Sequence, residues 1–337
     1  MKKKILITGA AGFLGQLAIE YYKKKYDLLL VDRYKLEHKD FHSIDISDYN
    51  KINNLIKKKK PDIILHYASE IFDTFNKKKI NSNVTGTFNL IKSATNNNIK
   101  NFIFTSTFSL FEKNYSNLID EIEPISCKNL YGVSKAEAER ILLSSNKNLN
   151  ITIFRCPIVV EKSRAHRLGV LFEFLKDDCS LWLLGKGNNK LQFVSAIDLF
   201  HMTEKSLKLK GHNIFNIGTE NVLTLKEIYK FLIRKTNSKS KIKHLNKFFG
   251  LFILKILVFL RLINWGDYHN KLLISSIVMD ITRIKKILNY KPKKSNAELL
   301  LEAYNHYIKN KKIPEFGSGK KPKMGFFRII KYFSKFI

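Results

Sequence analysis

Through its first 155 residues the chain repeats one pattern: a short apolar run, a polar break, then a longer polar or amphipathic stretch of helical length. The apolar runs are Ile5–Thr8, Leu28–Asp32, Ile63–His66, Phe102–Ser106 and Ile151–Arg155. Runs this short and continuous, bounded by turn residues, predict strands buried on both faces. Strands of that kind, joined by helical crossovers, lie parallel. The pattern therefore predicts an α/β fold with a doubly wound parallel sheet. Helix starts are marked by Ser47 and Asp48 ahead of Tyr49, and by Asn129 ahead of the segment that carries Tyr131.

After residue 155 the alternation fades. Gly185-Lys-Gly-Asn-Asn reads as a loop, and Ser195 as the cap of a helix from Ala196 to Lys208. Asn213–Ile217 reads as another strand, and Leu223–Thr236 as a helix with Thr224 near its start. Asp280 is expected to cap Ile281–Leu288, and Ser295 a last core helix through Lys309. Residues 314–324, with Gly317-Ser-Gly and Pro322, read as a linker. The organisation expected is an α/β unit over 1–160, its sheet completed by parts of 190–220, a smaller lobe over 161–312, and a linker with a tail over 313–337.

Composition changes the picture in two ways. A formal net charge of +31 over 337 residues fits Lys-rich solvated faces or attraction to polyanions. No zinc-finger, RNA-recognition or basic-zipper pattern accompanies it, so nucleic acid is not expected as a partner. The three cysteines, Cys127, Cys156 and Cys179, have neither disulfide-framework nor metal-ligand spacing, so no metal is expected and a cytoplasmic setting is. The first residues run straight into an apolar strand without a signal-peptide core, in keeping with that setting.

The first chemical motif is Ile5-Leu-Ile-Thr-Gly9-Ala-Ala-Gly12-Phe13-Leu14-Gly15. A strand, a glycine-rich turn and a helix start suit a dinucleotide. Gly9 makes the turn, Gly12 admits a pyrophosphate to the backbone, and Gly15 lets helix and strand pack closely. About 20 residues on, an acid is expected at the end of the second strand to bind the adenine ribose, and Asp32 stands near that point. Its carboxylate would accept from both ribose hydroxyls and repel a 2′-phosphate, which favours NAD over NADP. Arg33, able to pair with such a phosphate, argues the other way.

The second motif is Tyr131-Gly-Val-Ser-Lys135. On a helix these positions share a face, so an ammonium stands one turn from a phenol. A free tyrosine ionises near pH ~10; a neighbouring cation lowers that value toward the range of a useful acid/base. Ser106 and Thr107 add hydroxyls at the carboxyl end of the fifth strand, the end at which open α/β sheets bind ligands.

Together with Asp45-Ile46, His66-Tyr67-Ala68-Ser69, Asn83-Val-Thr-Gly-Thr87 and Arg155-Cys-Pro157, these motifs stand in the order seen in extended short-chain dehydrogenases/reductases. The chain most resembles the NAD-dependent sugar epimerase/dehydratase group, over roughly residues 3–310. The resemblance implies a Rossmann-type domain, a C-terminal substrate-binding lobe and a homodimer. It implies that Asp45 and Ile46 border the adenine, that Tyr67, Ala68, Ser69 and Asn83 line the ribose and phosphate channel, and that Pro157 sits beside the nicotinamide. Thr107, with Ser106 as alternate, would bond the reacting oxygen; Tyr131 would move the proton, and Lys135 would hold the nicotinamide ribose.

Departures from the family narrow the reaction. Sugar 4,6-dehydratases of this type carry an Asp-Glu pair directly after the active-site Thr, whereas Thr107 is followed by Phe108 and Ser109. Removal of water therefore lacks its acid/base pair. Phe111-Glu112 stands where a Tyr-Gly is usual, and Leu191-Gln192-Phe193 lacks the Arg of galactose-type epimerases. The expected activity is epimerisation of a nucleotide-linked or polyprenyl-diphosphate-linked sugar through transient hydride transfer. The alternative is net dehydrogenation or reduction of a steroid-like or isoprenoid alcohol.

Two further segments are apolar. Residues 248–263, interrupted by Lys255 and Arg261, read either as a lobe helix packed on the core or as a helix dipping into a membrane. In 325–337, Arg328, Lys331 and Lys335 share a helical face opposite Phe326, Ile329, Ile330, Phe333 and Ile337. That basic amphipathic tail is expected to touch an anionic membrane surface.

Overall fold

The computed structural model describes residues 2–71, 77–112, 115, 117–146, 148–162, 168–260 and 273–310, with backbone alone for 77–81. The five expected strands form within a residue of their predicted limits: β1 (Lys4–Thr8), β2 (Asp27–Asp32), β4 (Ile63–His66), β5 (Asn101–Thr107) and β6 (Asn150–Cys156). A short strand, β3 (Phe41–Ser43), extends one edge, and β10 (His212–Asn216) closes the other. The seven strands run in the order β10-β6-β5-β4-β1-β2-β3, each pair parallel.

Successive strand residues point to opposite faces, and both faces are covered. Ile5, Ile7, Leu30, Leu65, Ile103 and Phe154 face α1 (Phe13–Tyr22), α6 (Ala196–Ser206) and α9 (Thr282–Leu288). Leu6, Leu29, Val31, Ile64, Phe102 and Ile151 face α2 (Tyr49–Lys59), α3 (Lys77–Asn96) and α4 (Leu130–Leu143). This two-sided burial explains why the strands read as unbroken apolar runs.

The expected caps are in place with small adjustments. The side chains of Asp48, Asn129 and Ser195 accept from the N–H groups of Lys51, Gly132 and Ile197. Thr224 and Ser295 form capping boxes with Glu227 and Glu298 at the starts of α7 (Leu225–Thr236) and α10 (Asn296–Lys309). The start of α9 is a correction: Ile281 occupies the cap position, and Asp280 instead accepts from the N–H and hydroxyl of Thr282 in a local turn.

The second half of the chain also builds a lobe with its own core. Phe172, Leu175, Leu181, Phe193, Ile228, Leu232, Leu299 and Leu300 pack together, joining α5 (Gly169–Lys176), α7 and α10 to two parallel strand pairs. These pairs are β7 (Ile158–Val160) with β9 (Phe193–Ser195), and β8 (Leu181–Leu184) with β11 (Ile242–Leu245). The apolar segment after β11 forms α8 (Lys247–Phe259). Gly250 is buried and Leu251, Ile253, Leu254 and Leu257 are half-buried, so the described part packs on the lobe by one face and leaves the other to solvent. Among the described residues no helix is long and apolar enough to cross a membrane. The expected linker and amphipathic tail lie outside the described residues.

Candidate active site

Strand order reverses on either side of β1, where α1 leads the chain to β2 and a later crossover sets β4 on the other flank. Such a reversal leaves a crevice beyond the carboxyl ends of the strands. Gly9 lies in it with φ +74°, a left-handed conformation that costs a residue with a Cβ. A Cβ there would stand 2.5 Å from the backbone N of Ala68, and one on Gly15 would stand 2.6 Å from Ala10 Cα. Ala68 and the Tyr67 carbonyl carbon therefore press on the turn through backbone alone. The Gly12 N–H donates to the Gly9 carbonyl (2.9 Å), and Gly12 caps α1 without a side chain to fill the first turn. Phe13 and Leu14 lean on the sheet core. The result is a cradle walled by backbone at the positive end of a helix, which fits the pyrophosphate of a dinucleotide.

Asp32 closes one side of this cradle. Its Oδ2 accepts from the N–H of Ala11 (3.0 Å) and its Oδ1 from that of Tyr34 (3.0 Å). Arg33 turns to two acids, pairing with Asp45 at 3.7 Å and with Glu70. Burial raises the Asp45 carboxyl, but the Ser47 N–H and hydroxyl together with Arg33 outweigh it and hold the group below its ordinary range. Ile46 lies in the core against Gly86, and Asn89 binds its carbonyl. The ring of Tyr67 points the other way, 6.1 Å from Phe200, where burial pushes its phenol well above the ordinary value.

Behind the cradle, His66 bridges two hydroxyls, with Nδ1 2.8 Å from Thr8 Oγ1 and Nε2 2.9 Å from Thr87 Oγ1. Thr87 donates to the Asn83 carbonyl, so Nε2 carries the proton and Nδ1 accepts from Thr8. Burial, with the Lys135 charge adding to it, holds the imidazole well below its ordinary value, and it stays neutral.

Asn83 connects the two motifs. Its Oδ1 accepts from the Glu70 N–H (2.8 Å) and lies 3.5 Å from the Ser69 hydroxyl. Its Nδ2 donates to the Glu70 carbonyl (2.9 Å) and to Ser134 Oγ (3.0 Å). Ser134 in turn donates to the Tyr131 carbonyl (2.8 Å). The loop after β4 is thereby tied to the first turn of α4, with Tyr131 half-buried in that turn.

Lys135, one turn further along α4, is 3% exposed. Its Nζ donates to the Thr105 carbonyl (2.6 Å) and lies 3.8 Å above the Phe104 ring centroid. Burial pushes its ammonium down to about 7, with Glu139 and Cys156 opposing the shift. Thr107 ends β5 with its Oγ1 accepting from the Ser109 N–H (3.1 Å) and donating to the Ser109 hydroxyl (3.2 Å). The buried Ser106 hydroxyl has no hydrogen-bond partner among the described residues. Pro157 is buried directly after β6, at the same edge.

Side chains outside the expected set hold this edge in place. Glu112 Oε1 accepts from both the backbone N–H (2.6 Å) and the Nδ2 (2.7 Å) of Asn129, so a carboxylate fixes the cap of α4. Gly132 packs where a Cβ would meet Cys127 Cβ at 2.8 Å. Arg155 and Glu139, 3% and 1% exposed, pair at 2.8 Å between β6 and α4, and Arg155 also donates to the Glu121 carbonyl. In sequence only their presence in family-like stretches could have pointed to them. Leu191, where galactose-type epimerases carry their Arg, is buried, and Gln192 beside it is turned inward. Its Nε2 donates to the carbonyls of Thr219 (2.9 Å) and Met279 (3.2 Å), and its Oε1 accepts from the Met279 N–H (3.0 Å).

Known proteins share this plan. An uncharacterized protein of Sinorhizobium fredii, y4nG, is 26% identical over 331 residues, covering 95% of this chain and 83% of its own length. The UDP-glucuronate 4-epimerase of Thermodesulfobacterium geofontis is 23% identical over 328 residues, covering 89% and 94%. The Bordetella bronchiseptica enzyme WbmG, crystallised with NAD and UDP, superposes with a TM-score of 0.75 at 18% identity, covering 92% of this chain and 95% of that one. The model of the NAD dependent epimerase/dehydratase family matches residues 5–218. With its glycine cradle, Asp32 and the Tyr131–Lys135 turn at one sheet edge, the chain belongs to that family of NAD-dependent enzymes.

Proposed function

We propose that the protein epimerises a nucleotide-linked sugar, with Tyr131 as acid/base and Lys135 and Thr107 as its partners. The observation that carries this reading is the tie through Asn83 and Ser134, which holds the Tyr131 turn beside the loop that abuts the glycine cradle. NAD, bound along that cradle, supplies a reversible hydride acceptor at the sugar carbon. Tyr131 Oη takes the proton of the sugar hydroxyl as the carbon is oxidised and returns it after the ketose has turned over. The Lys135 ammonium stabilises the phenolate, and the Thr107 hydroxyl, rotated away from Ser109 Oγ, donates to the reacting oxygen. Gly9, Gly12 and Gly15, with the first turn at Phe13 and Leu14, hold the diphosphate. Asp32 takes the ribose hydroxyls, and Asp45 with Ile46 borders the adenine. Arg33, engaged by Asp45 and Glu70, supports NAD over NADP.

Named relatives act on UDP-sugars, which favours a nucleotide handle over a polyprenyl one. Loss of the acidic pair after Thr107 favours epimerisation over dehydration. The test is turnover of a panel of nucleotide sugars by purified protein, following NADH absorbance and product stereochemistry together. An inverted product with no net NADH supports the proposal. NADH accumulating in step with product overturns it in favour of a dehydrogenase, the second reading, which the apolar lobe and the Leu191 in place of an Arg favour. The family resemblance also supports a homodimer, checked by sedimentation velocity. The tail at 325–337 supports contact with an anionic membrane face, checked by comparing vesicle binding with and without it.

A further inference from the structure

On the outer side of the lobe, α8 presents apolar side chains to solvent. Phe248 and Phe259 are 84% and 85% exposed, and Phe249, Phe252, Ile256 and Leu260 are also exposed. Phe248, Phe252, Ile256 and Phe259 recur at helical spacing, so they form one stripe, which Lys255 alone interrupts. The opposite side seats on the β8–β11 ribbon, where a Cβ on Gly250 would meet Leu184 and Leu245. On the same outer face of that ribbon, Lys243 Nζ lies 5.7 Å from the ring centroid of the exposed Trp182.

The segment that carries α8 is itself basic. From Lys239 to Leu260 there are five lysines and no Asp or Glu. At the start of α8, Lys186, Lys226, His244 and Asn246 line a shallow cleft. A second copy of this face would add its own Lys241, Lys243, Lys247 and Lys255 to those already present with no acid from the same segment to pair them, a like-charge build-up that opposes pairing. A stripe of phenylalanine edged by lysines, with a tryptophan at the boundary, matches the layered chemistry of an anionic bilayer surface. The 13 residues of α8 extend only ~20 Å as a helix, short of the ~30 Å hydrocarbon core, so the helix suits lying in the interface rather than crossing it.

We propose that α8, with Trp182 and its ring of lysines, docks the substrate lobe on an anionic lipid bilayer. The stripe enters the acyl boundary, and the lysines and the cleft at its amino-terminal end meet the phosphate layer. This inference depends neither on the reaction assigned above nor on the tail at 325–337.

Co-sedimentation of the full chain with phosphatidylcholine vesicles holding about 30% phosphatidylglycerol, against phosphatidylcholine alone, tests it. Expected are binding to the anionic vesicles, weakening from 0.1 to 0.5 M salt, and on the order of tenfold weaker binding for Phe252→Glu/Phe259→Glu. A full chain carrying Phe326→Ser/Phe333→Ser in the tail should keep binding above that of the α8 variant. In a Trp265→Phe background, Trp182 emission should move to shorter wavelength on adding anionic vesicles. Because the substituted α8 positions face solvent, circular dichroism and the apo melting temperature should stay at wild-type values. Unchanged vesicle binding by the α8 variant overturns the proposal, as does binding lost only with the tail variant. A shift from dimer to monomer in the α8 variant without any change in vesicle binding also overturns it, assigning the stripe to a second copy.

Discussion

The turn after β1 and the turn after β8 use the same backbone conformation in different surroundings. Gly9 and Gly185 have φ +74° and +68°. A Cβ on Gly9 would enter the backbone of the neighbouring strand exit, whereas around Gly185 nothing lies within 4 Å of that position. The first glycine serves close approach as well as φ; the second serves φ alone. The same contrast separates the two halves of the molecule. At the sheet edge Asn83, Ser134, Glu112 and Asn129 fix backbone to backbone by hydrogen bonds, while the lobe is held by an aliphatic and aromatic cluster and leaves α8 largely uncovered.

The sharpest way to break this contrast is at the chemistry. Tyr131→Phe should lower kcat by about a thousandfold with NAD affinity near wild type, read by product formation and by calorimetric titration of the cofactor. A normal kcat would separate the tethered edge from catalysis altogether. Next in size, Glu139→Gln leaves Arg155 buried without its partner and should cost roughly 3–5 kcal/mol in a urea melt. Gly9→Ala should follow, with about 2–4 kcal/mol lost and NAD binding abolished, since strain and overlap add. Gly185→Ala should cost only about 1 kcal/mol, the left-handed penalty alone. Equal effects at the two glycines would erase the distinction.

A smaller effect sits at Lys135. In the unfolded chain its ammonium keeps the ordinary value of 10.5, while in the folded chain burial lowers it to about 7. Between those values the unfolded state binds more protons, so stability rises with pH, by at most about 1.4 kcal/mol per pH unit from this one group. Melts of the apo-protein from pH 7 to 8.5 should show that rise, and Lys135→Met should flatten it. His66 acts in the same direction at lower pH, because its buried neutral ring resists protonation as the pH falls through its ordinary value of 6.5.

The strands and helix caps were readable because each depends on local pattern: Ile63–His66 is apolar and continuous because both sheet faces are covered, and Thr224 announces its helix through a partner three residues on. The start of α9 slipped by one residue because Asp280 spends its carboxylate on a turn that competes with capping. At the site, the glycines and the Tyr131–Lys135 pair carry fixed spacings and could be placed from sequence. The roles of Glu112, Ser134 and Gln192 could not, since each depends on a partner between 17 and 87 residues away or on which way a side chain turns. The exposure of α8 was equally hidden: an apolar run looks the same whether the protein covers it or leaves it bare.

Glu112 has a practical corollary for anyone exchanging parts between relatives. One of its oxygens receives two donors from Asn129, so the segment leaving β5 and the origin of α4 form a matched lock and key. A graft that imports either piece alone would leave Tyr131 on a loosened hinge, and transplants of substrate preference should carry both residues as one cassette.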